Sequence, residues 1–460
     1  MPECDDVRNG AGSNWFARGL FATFLLLAIG PIFIPALFFC NQGDVFFSEI
    51  TSLCQSPEIQ GKIAPCLVIY FLGFTWLEKY ATGGRINLRF VSSNGCLLVL
   101  LILAAGRFVF GQRGEITDTR ALLLPYGMVV GKGVSCLGRL GGGIHNMAPR
   151  VKFILNCLIG AVASSSWLHL DMSHNYYHGS RWMGLWDNPN TYGALMATGL
   201  VLASAGLPGM TRAKDGRQRG KAIVLLLVIG MMSVGLVMSY SRGAWLAAAG
   251  GLLYLAWCHG WLDWKYLKYL LSCMAIGLVF VICLWGSTPD SAPWFIKRAD
   301  LGRPSAQHRV SAWRAGLAIM RDHPFGVGWG NAVKIYQDQY SPPADGAAAI
   351  TTNDYLMIGA ELGIPALLCF VVYLALGYRH GPCPRRWTSA GEDRKAGKMP
   401  EGFESNGQNC LLGQQQEFLR AACLASALVF IVVFWFDGGL FKLPTAAVFW
   451  VLLELGKTDG

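Results

Sequence analysis

Charge is what this sequence lacks most. Only 14% of its residues are Asp, Glu, Lys or Arg, where a soluble domain carries about a quarter. A chain of 460 residues cannot clothe a water-facing surface with so few charges, which excludes an ordinary soluble globular protein. No two cysteines form a C-x-x-C pair, so the usual zinc and thiol-redox sites are excluded. Many of the 14 cysteines lie inside apolar runs instead, among them Cys96, Cys157, Cys273, Cys283, Cys369 and Cys423. There the thiol behaves as a small hydrophobe. No basic run is interleaved with aromatics in a soluble domain, so the net charge of +10 does not point to nucleic acid. The glycine-rich stretch Gly326–Gly330 is not followed by Lys and Ser or Thr, which excludes a nucleotide P-loop. No metal site and no cofactor are expected.

What is present is hydrophobic, at 53% of the residues, and it comes in blocks. Phe21–Cys40, Ala222–Tyr240, Tyr269–Trp285 and Ala421–Phe436 are uncharged and roughly 16 to 20 residues long, enough to cross a hydrocarbon core. The expected fold class is all-α, a polytopic integral membrane protein with about twelve transmembrane helices and a large, partly helical periplasmic loop. The expected spans are 19–40, 62–78, 95–111, 121–138, 151–170, 190–208, 221–240, 243–259, 267–286, 355–377, 419–436 and 440–455. The first block lacks a small-residue cleavage site and reads as a retained helix rather than a signal peptide.

Lysine and arginine set the orientation. Arg212, Lys214, Arg217, Arg219 and Lys221 crowd one connection, and Arg379, Arg385, Arg386, Arg394, Lys395 and Lys398 another. Both belong on the cytoplasmic side, and counting spans puts them there together, with both termini. The chain then divides into membrane helices over 1–286, a periplasmic loop over 287–354, a span over 355–377, a cytoplasmic loop over 378–418 and two final spans over 419–460. The loop carries Lys297, Arg298, Arg303, Arg309, Arg314, Arg321 and Lys334. Arginine on the outer side runs against the positive-inside bias, and anion binding explains it, because a guanidinium fork matches phosphate.

Four segments carry candidate chemistry. Within the loop, His308–Arg321 reads as an amphipathic helix with Val310, Trp313, Leu317 and Met320 on one stripe and Arg309, Arg314 and Arg321 at its edges. Two readings stand for it: a helix lying on the membrane surface, or a packing helix whose arginines snorkel. It runs into Asp322-His-Pro-Phe-Gly-Val-Gly-Trp-Gly330, where His323, Gly328 and Trp329 are candidates and Pro324 ends the helix. Ser239-Tyr-Ser-Arg-Gly-Ala-Trp245 stands at the outer junction of two spans. Its Arg242, flanked by Ser241 and Trp245, is placed to grip a lipid-linked phosphate or to anchor a helix end. Thr351-Thr-Asn-Asp-Tyr-Leu leads into a span with an acid inside it, so Asn353, Asp354 and Glu361 are candidates, a salt bridge being the plainer role. Gly184-Leu-Trp-Asp-Asn-Pro-Asn-Thr-Tyr-Gly193 opens another span, with Asn190 as its expected cap.

In this order, Asn188-Pro-Asn190, Ser241-Arg-Gly-Ala-Trp245, Arg309 with Trp313 ahead of His323-Pro-Phe-Gly-Val-Gly-Trp-Gly330, and Asn353-Asp-Tyr-Leu leading to Glu361-Leu-Gly-Ile-Pro365 resemble the O-antigen ligase and polymerase superfamily of bacterial envelope glycosyltransferases. The resemblance covers roughly 180–375; elsewhere the chain matches only as hydrophobic spans. It implies transfer of a glycan from undecaprenyl diphosphate to an acceptor hydroxyl at the periplasmic face of the cytoplasmic membrane, without nucleotide or metal. The acceptor would be lipid A core, a growing polysaccharide or a protein, according to whether the chain is a ligase, a polymerase or a protein glycosylase. The family's diphosphate-binding arginines match Arg242 and Arg309, with Arg314 competing. Substrate contacts would come from Asn190, Ser241, Trp245, Arg314, Arg321, Gly328, Trp329 and Asn353. A transporter or flippase of lipid-linked sugar is the non-enzymatic alternative. One departure stands out: the ligases carry His directly before the Asn of the last motif, and Thr352 stands there, while Ala366 replaces a glycine. A hydroxyl is no base near pH 7. His323, His308, Asp354 or Glu361 then takes that role, or diphosphate activation suffices, or the acceptor differs.

Overall fold

The computed structural model describes residues 66–76, 88–110, 120–139, 151–152, 154–163, 176–177, 181–184, 186, 188–206, 216–258, 304–340, 352–379 and 404–457. The expected spans 19–40 and 267–286 lie outside these residues, as do the loop stretches 287–303 and 341–351.

Helices make up nearly all of the described chain. They are α1 (Cys66–Trp76), α2 (Leu88–Phe110), α3 (Arg120–Arg139), α4 (Ile154–Ala163), α5 (Pro189–Ala205), α6 (Gly216–Met238), α7 (Arg242–Cys258), α8 (Pro304–Asp322), α9 (Asn331–Ile335), α10 (Asp354–Glu361), α11 (Ile364–Arg379), α12 (Glu404–Val433) and α13 (Leu443–Gly456). A π-helical turn, Tyr336–Tyr340, continues α9. The all-α expectation omits one small ribbon, in which β1 (Tyr176–Tyr177) pairs antiparallel with β2 (Arg181–Trp182). Among the described residues, two helices are long and apolar enough to cross a membrane, Arg219–Met238 and Gln416–Val433. The first turns an apolar face outward: Ile223, Val224 and Leu227 are each about 60% exposed. Water does not tolerate such a stripe, and hydrocarbon does.

Four of these helices build the bundle that matters for function. Helices α5, α6 and α7 pack on one another, and α12 closes the group against α5 and α7. Close approach at Gly193 makes this possible: a Cβ there would lie 2.7 Å from Ser239 Oγ and 3.1 Å from the Ala244 Cβ. A small residue at such a crossing lets two backbones meet, the usual device of helices in lipid. Hence the Asn-Pro-Asn segment and the Ser-Arg-Gly segment, far apart in sequence, become neighbours.

At three places the helices add detail to the expected elements. The span 355–377 is not one helix, because Gly363 at φ +96° breaks it into α10 and α11. The break is where the loop docks. Ile364 N donates to Pro324 O at 2.8 Å, Val327 N to Ala360 O at 2.9 Å and Gly328 N to Glu361 O at 2.9 Å. The two glycine segments therefore meet backbone to backbone, and a Cβ on Gly363 would lie 2.5 Å from the Phe325 carbonyl carbon. Second, α8 runs from Pro304, and its apolar stripe is split: Met320 is buried and Trp313 faces the core, while Val310 and Leu317 are exposed. Packing against α10 selects the small-residue side, with Ala312, Ala315 and Gly316, because it lets the helices approach closely. Third, α12 starts at Glu404, inside the stretch expected to be a cytoplasmic loop.

A buried polar cluster ties four helices at one end of the bundle. Lys132 of α3 donates to Asn94 of α2 at 2.8 Å and lies 3.9 Å from Glu454 of α13. Lys457 reaches the same carboxylate at 2.7 Å, and the Tyr373 hydroxyl of α11 donates to it. Buried charges persist only when paired in this way.

The glycine pair generates a prediction. Gly363→Ala forces a left-handed alanine against the Phe325 backbone and costs about 1–3 kcal/mol in strain alone. Thermal unfolding of the detergent-solubilised variant should show a clearly lowered midpoint, and an unchanged one would mean that the docked segments are not held as described.

Candidate functional site

The site begins at the turn between α6 and α7, which consists of Ser239, Tyr240 and Ser241. Tyr240 adopts φ +51°, a left-handed conformation seldom used by a residue with a side chain. Ser239 Oγ accepts from Ser241 N at 3.2 Å and donates to Leu236 O at 2.7 Å, so this serine staples the turn. Ser241 Oγ then accepts from Ala244 N at 3.4 Å and caps α7. The tight turn leaves the first residues of α7, Arg242, Gly243 and Ala244, lining an open cleft. Trp245 points the other way and donates its indole N–H to Leu236 O at 2.9 Å, locking the two helices together.

Three other elements complete the cleft. Helix α8 supplies Arg309, the loop between α12 and α13 supplies Phe436 and Asp437, and the start of α5 with β2 supplies Asn190 and Arg181. Trp313, one turn beyond Arg309, packs its ring 6.4 Å from that of Trp435 and 6.3 Å from that of Phe436, which seats α8 on the α12–α13 turn. Arg181 braces the opposite wall, donating from Nε to Ser239 O at 3.0 Å and from Nη2 to Asn190 Oδ1 at 2.9 Å. Asn190 is therefore not the cap of α5. That cap is Asn188, whose side chain accepts from Asn190 N at 2.8 Å and leaves the Asn190 amide facing Arg181.

Asp437 is the acid of the cleft. Lys442 Nζ sits 3.1 Å from its Oδ2 and 3.0 Å from Thr191 Oγ1, linking the turn to α5. Asp354 holds the same turn from behind: its amide donates to Phe434 O at 3.0 Å and its Oδ2 accepts from Leu440 N at 2.7 Å. Burial pushes the Asp354 carboxyl well above the usual carboxylate range, with the Leu440 amide pulling the other way. At Arg309, burial lowers the guanidinium pKa, nearby Asp437 raises it, and Arg242 lowers it again. A guanidinium starts so far above neutrality that it stays a cation. Arg242 and Arg309 thus share the cleft with Arg181 and with the Asp437 carboxylate, an excess of positive charge that a compact anion complements.

Of the residues singled out from the sequence, the structure brings Arg242, Arg309, Ser241 and Asn190 to this cleft. It sends the others elsewhere. His323, Arg314 and Arg321 are exposed, Arg321 pairing with Asp322 at 2.9 Å. Asn353 caps α10 through Leu356 N at 3.1 Å, and the buried Glu361 accepts from Gly330 N at 3.2 Å. Gly328 spends its amide on Glu361 O, and the Trp329 indole donates to Ala104 O of α2 at 3.0 Å. Thr352 and Asp354 do not line the cleft, and the His308 side chain lies outside what the structure describes. Sequence reading missed Arg181, Tyr240 and Asp437. Asp437 had a usable signal, since the span count puts the turn between the last two spans on the same side as Arg242. Among the described residues no three His, Cys, Asp or Glu side chains gather as a metal site would require.

Arginines gathered between apolar helices have the chemistry to bind an anionic group. Residues 225–371 match the family model for O-antigen ligase, a family of bacterial inner-membrane proteins, and this match supports a likeness to the O-antigen ligase and polymerase superfamily. The match spans about a third of the chain; it includes Arg242 and Arg309 but not Arg181, Asn190 or Asp437. No curated protein matches the chain in sequence.

Because Arg181 joins the α5 start to the α6–α7 turn, Arg181→Ala should lower stability by about 1.5–3 kcal/mol, the usual loss for hydrogen bonds from a charged donor. Adding Asn190→Ala should cost little more, as both remove one contact. Thermal unfolding of the three variants checks this, and fully additive losses would show that the two side chains act independently.

Proposed function

We propose that the chain transfers a glycan from undecaprenyl diphosphate to an acceptor hydroxyl at the periplasmic face of the inner membrane, with Arg242 and Arg309 holding the diphosphate. The convergence of these two arginines on one cleft carries the reading. Breaking the bond between the anomeric carbon and the phosphate oxygen leaves negative charge on the diphosphate. Fixed cations in a partly dehydrated cleft stabilise such charge far better than water does. The N-terminus of α7 adds its partial positive charge at the same place.

Two features support the expected alternation of the spans. The segments assigned to the outer side, at Asn190, Tyr240–Arg242, Arg309 and Asp437, all meet in the cleft. Asn94, Lys132, Tyr373 and Glu454, assigned to inner ends of their spans, meet in the buried polar cluster instead. A different alternation of spans would scatter both groups. The acceptor is a lipid A core sugar, a growing polysaccharide or a protein; the departure at Thr352 leaves these on an equal footing.

Arg242→Ala and Arg309→Ala should each reduce transfer about 100-fold or more, with the protein still present in the membrane at its normal level. Surface polysaccharide display in a deletion strain reads this out, and normal display from both variants would sink the proposal. Purified protein given a diphosphate-linked donor and an acceptor should form the glycosidic bond. Movement of the donor across a vesicle membrane without bond formation would make the protein a flippase.

A further inference from the structure

We propose that Asp437 is the general base that takes the proton from the acceptor hydroxyl. This rests on the proposed transfer reaction and on the cleft that Asp437 shares with Arg242 and Arg309. The family's base position is filled by Thr352, which does not line the cleft and whose hydroxyl is no base near neutrality. Among the described residues lining the cleft, Asp437 is the only carboxylic acid or imidazole; Tyr240 and Ser241 offer hydroxyls, and the arginines are cations. Of the other candidates named from the sequence, Asp354, Glu361 and His323 are placed elsewhere, and the His308 side chain lies outside the described residues. Asp354 is fully enclosed and bonded to Leu440 N, Glu361 is bonded to Gly330 N, and His323 is exposed at the end of α8.

Asp437 is also held as a base needs to be held. Lys442 fixes Oδ2 from one side while bonding to Thr191, and Gly439 N donates to the Asp437 carbonyl at 2.7 Å. The turn itself is tied to α10 by Asp354. With Oδ2 occupied by the ammonium, Oδ1 is the oxygen left to address a substrate. The acceptor O–H gives its proton to the Asp437 carboxylate as its oxygen bonds to the anomeric carbon. The bond from that carbon to the phosphate oxygen breaks, and its electron pair leaves on the diphosphate, where Arg242 and Arg309 hold it. Base and leaving group are thereby separated within one cleft, and the carboxylate and the guanidinium groups hold one another in place before substrate arrives.

The test uses the purified full chain in lipid nanodiscs, with an undecaprenyl-diphosphate-linked oligosaccharide as donor and undecaprenyl diphosphate as binding probe. Asp437→Asn should lower transfer at least 100-fold while binding the probe within threefold of the parent protein. Asp437→Glu should recover part of the rate, and added formate or azide should restore transfer to Asp437→Ala by tenfold or more, which a purely structural loss cannot do. His308→Ala should keep its transfer. Asp437→Asn retaining transfer within threefold, or losing probe binding and transfer together with no rescue by formate or azide, would overturn the assignment. Loss of transfer in His308→Ala alongside an active Asp437→Asn would move the base to His308. Probe binding retained by both Arg242→Ala and Arg309→Ala would instead overturn the diphosphate reading, leaving that failure distinct from the first.

Discussion

Two guanidinium groups repel, and burying both in one cleft between apolar helices is unfavourable unless something opposes the charge. The structure is organised around that constraint. Arg242 comes from a helix start, Arg309 from a separate helix, and burial already depresses the Arg309 guanidinium with Arg242 adding to the effect. Asp437 opposes it, and Lys442 keeps Asp437 in position. A compact dianion would bring further negative charge to these guanidinium groups, and this is why a lipid diphosphate fits the cleft on the proposed reading.

The positioning elements are mostly backbone devices. Gly193 lets α5 press against the Ser239–Ala244 turn, Tyr240 takes a left-handed conformation to make that turn short, and Ser241 caps the helix that begins with Arg242. On the other wall, Gly326 and Gly363 let the glycine segment after α8 hydrogen-bond to the broken α10–α11 connection. That contact fixes the far end of α8, while Trp313 seats it near Arg309. These glycines bring two stretches of main chain together.

The sequence was most legible where chemistry and periodicity spoke together. Arg242 stood at a junction of two apolar blocks and Arg309 on an amphipathic helix of the outer loop, and the structure brings both to the cleft. Asn190 lines the cleft but does not cap α5: Asn188, two residues earlier, takes the cap, and Asn190 meets Arg181. Arg314 and Arg321 were equally prominent in sequence, yet helix phase turns them outward, and phase depends on which face α10 packs against; His323 lies just past the end of α8 and is exposed there. Asp437 and Arg181 were missed because each is a lone charge without a local pattern. Their significance comes from tertiary contact with segments as much as 250 residues away, as between Lys442 and Thr191, which periodicity cannot encode.

The most direct measurement is a density map of the protein in nanodiscs with a non-hydrolysable diphosphonate analogue of the lipid donor. The account predicts two phosphorus centres in the cleft, with the Arg242 and Arg309 guanidinium groups within hydrogen-bonding distance of their oxygens and the lipid tail leaving along the outward apolar helices. Head-group density seated elsewhere, with the two arginines turned away from it, would contradict the account.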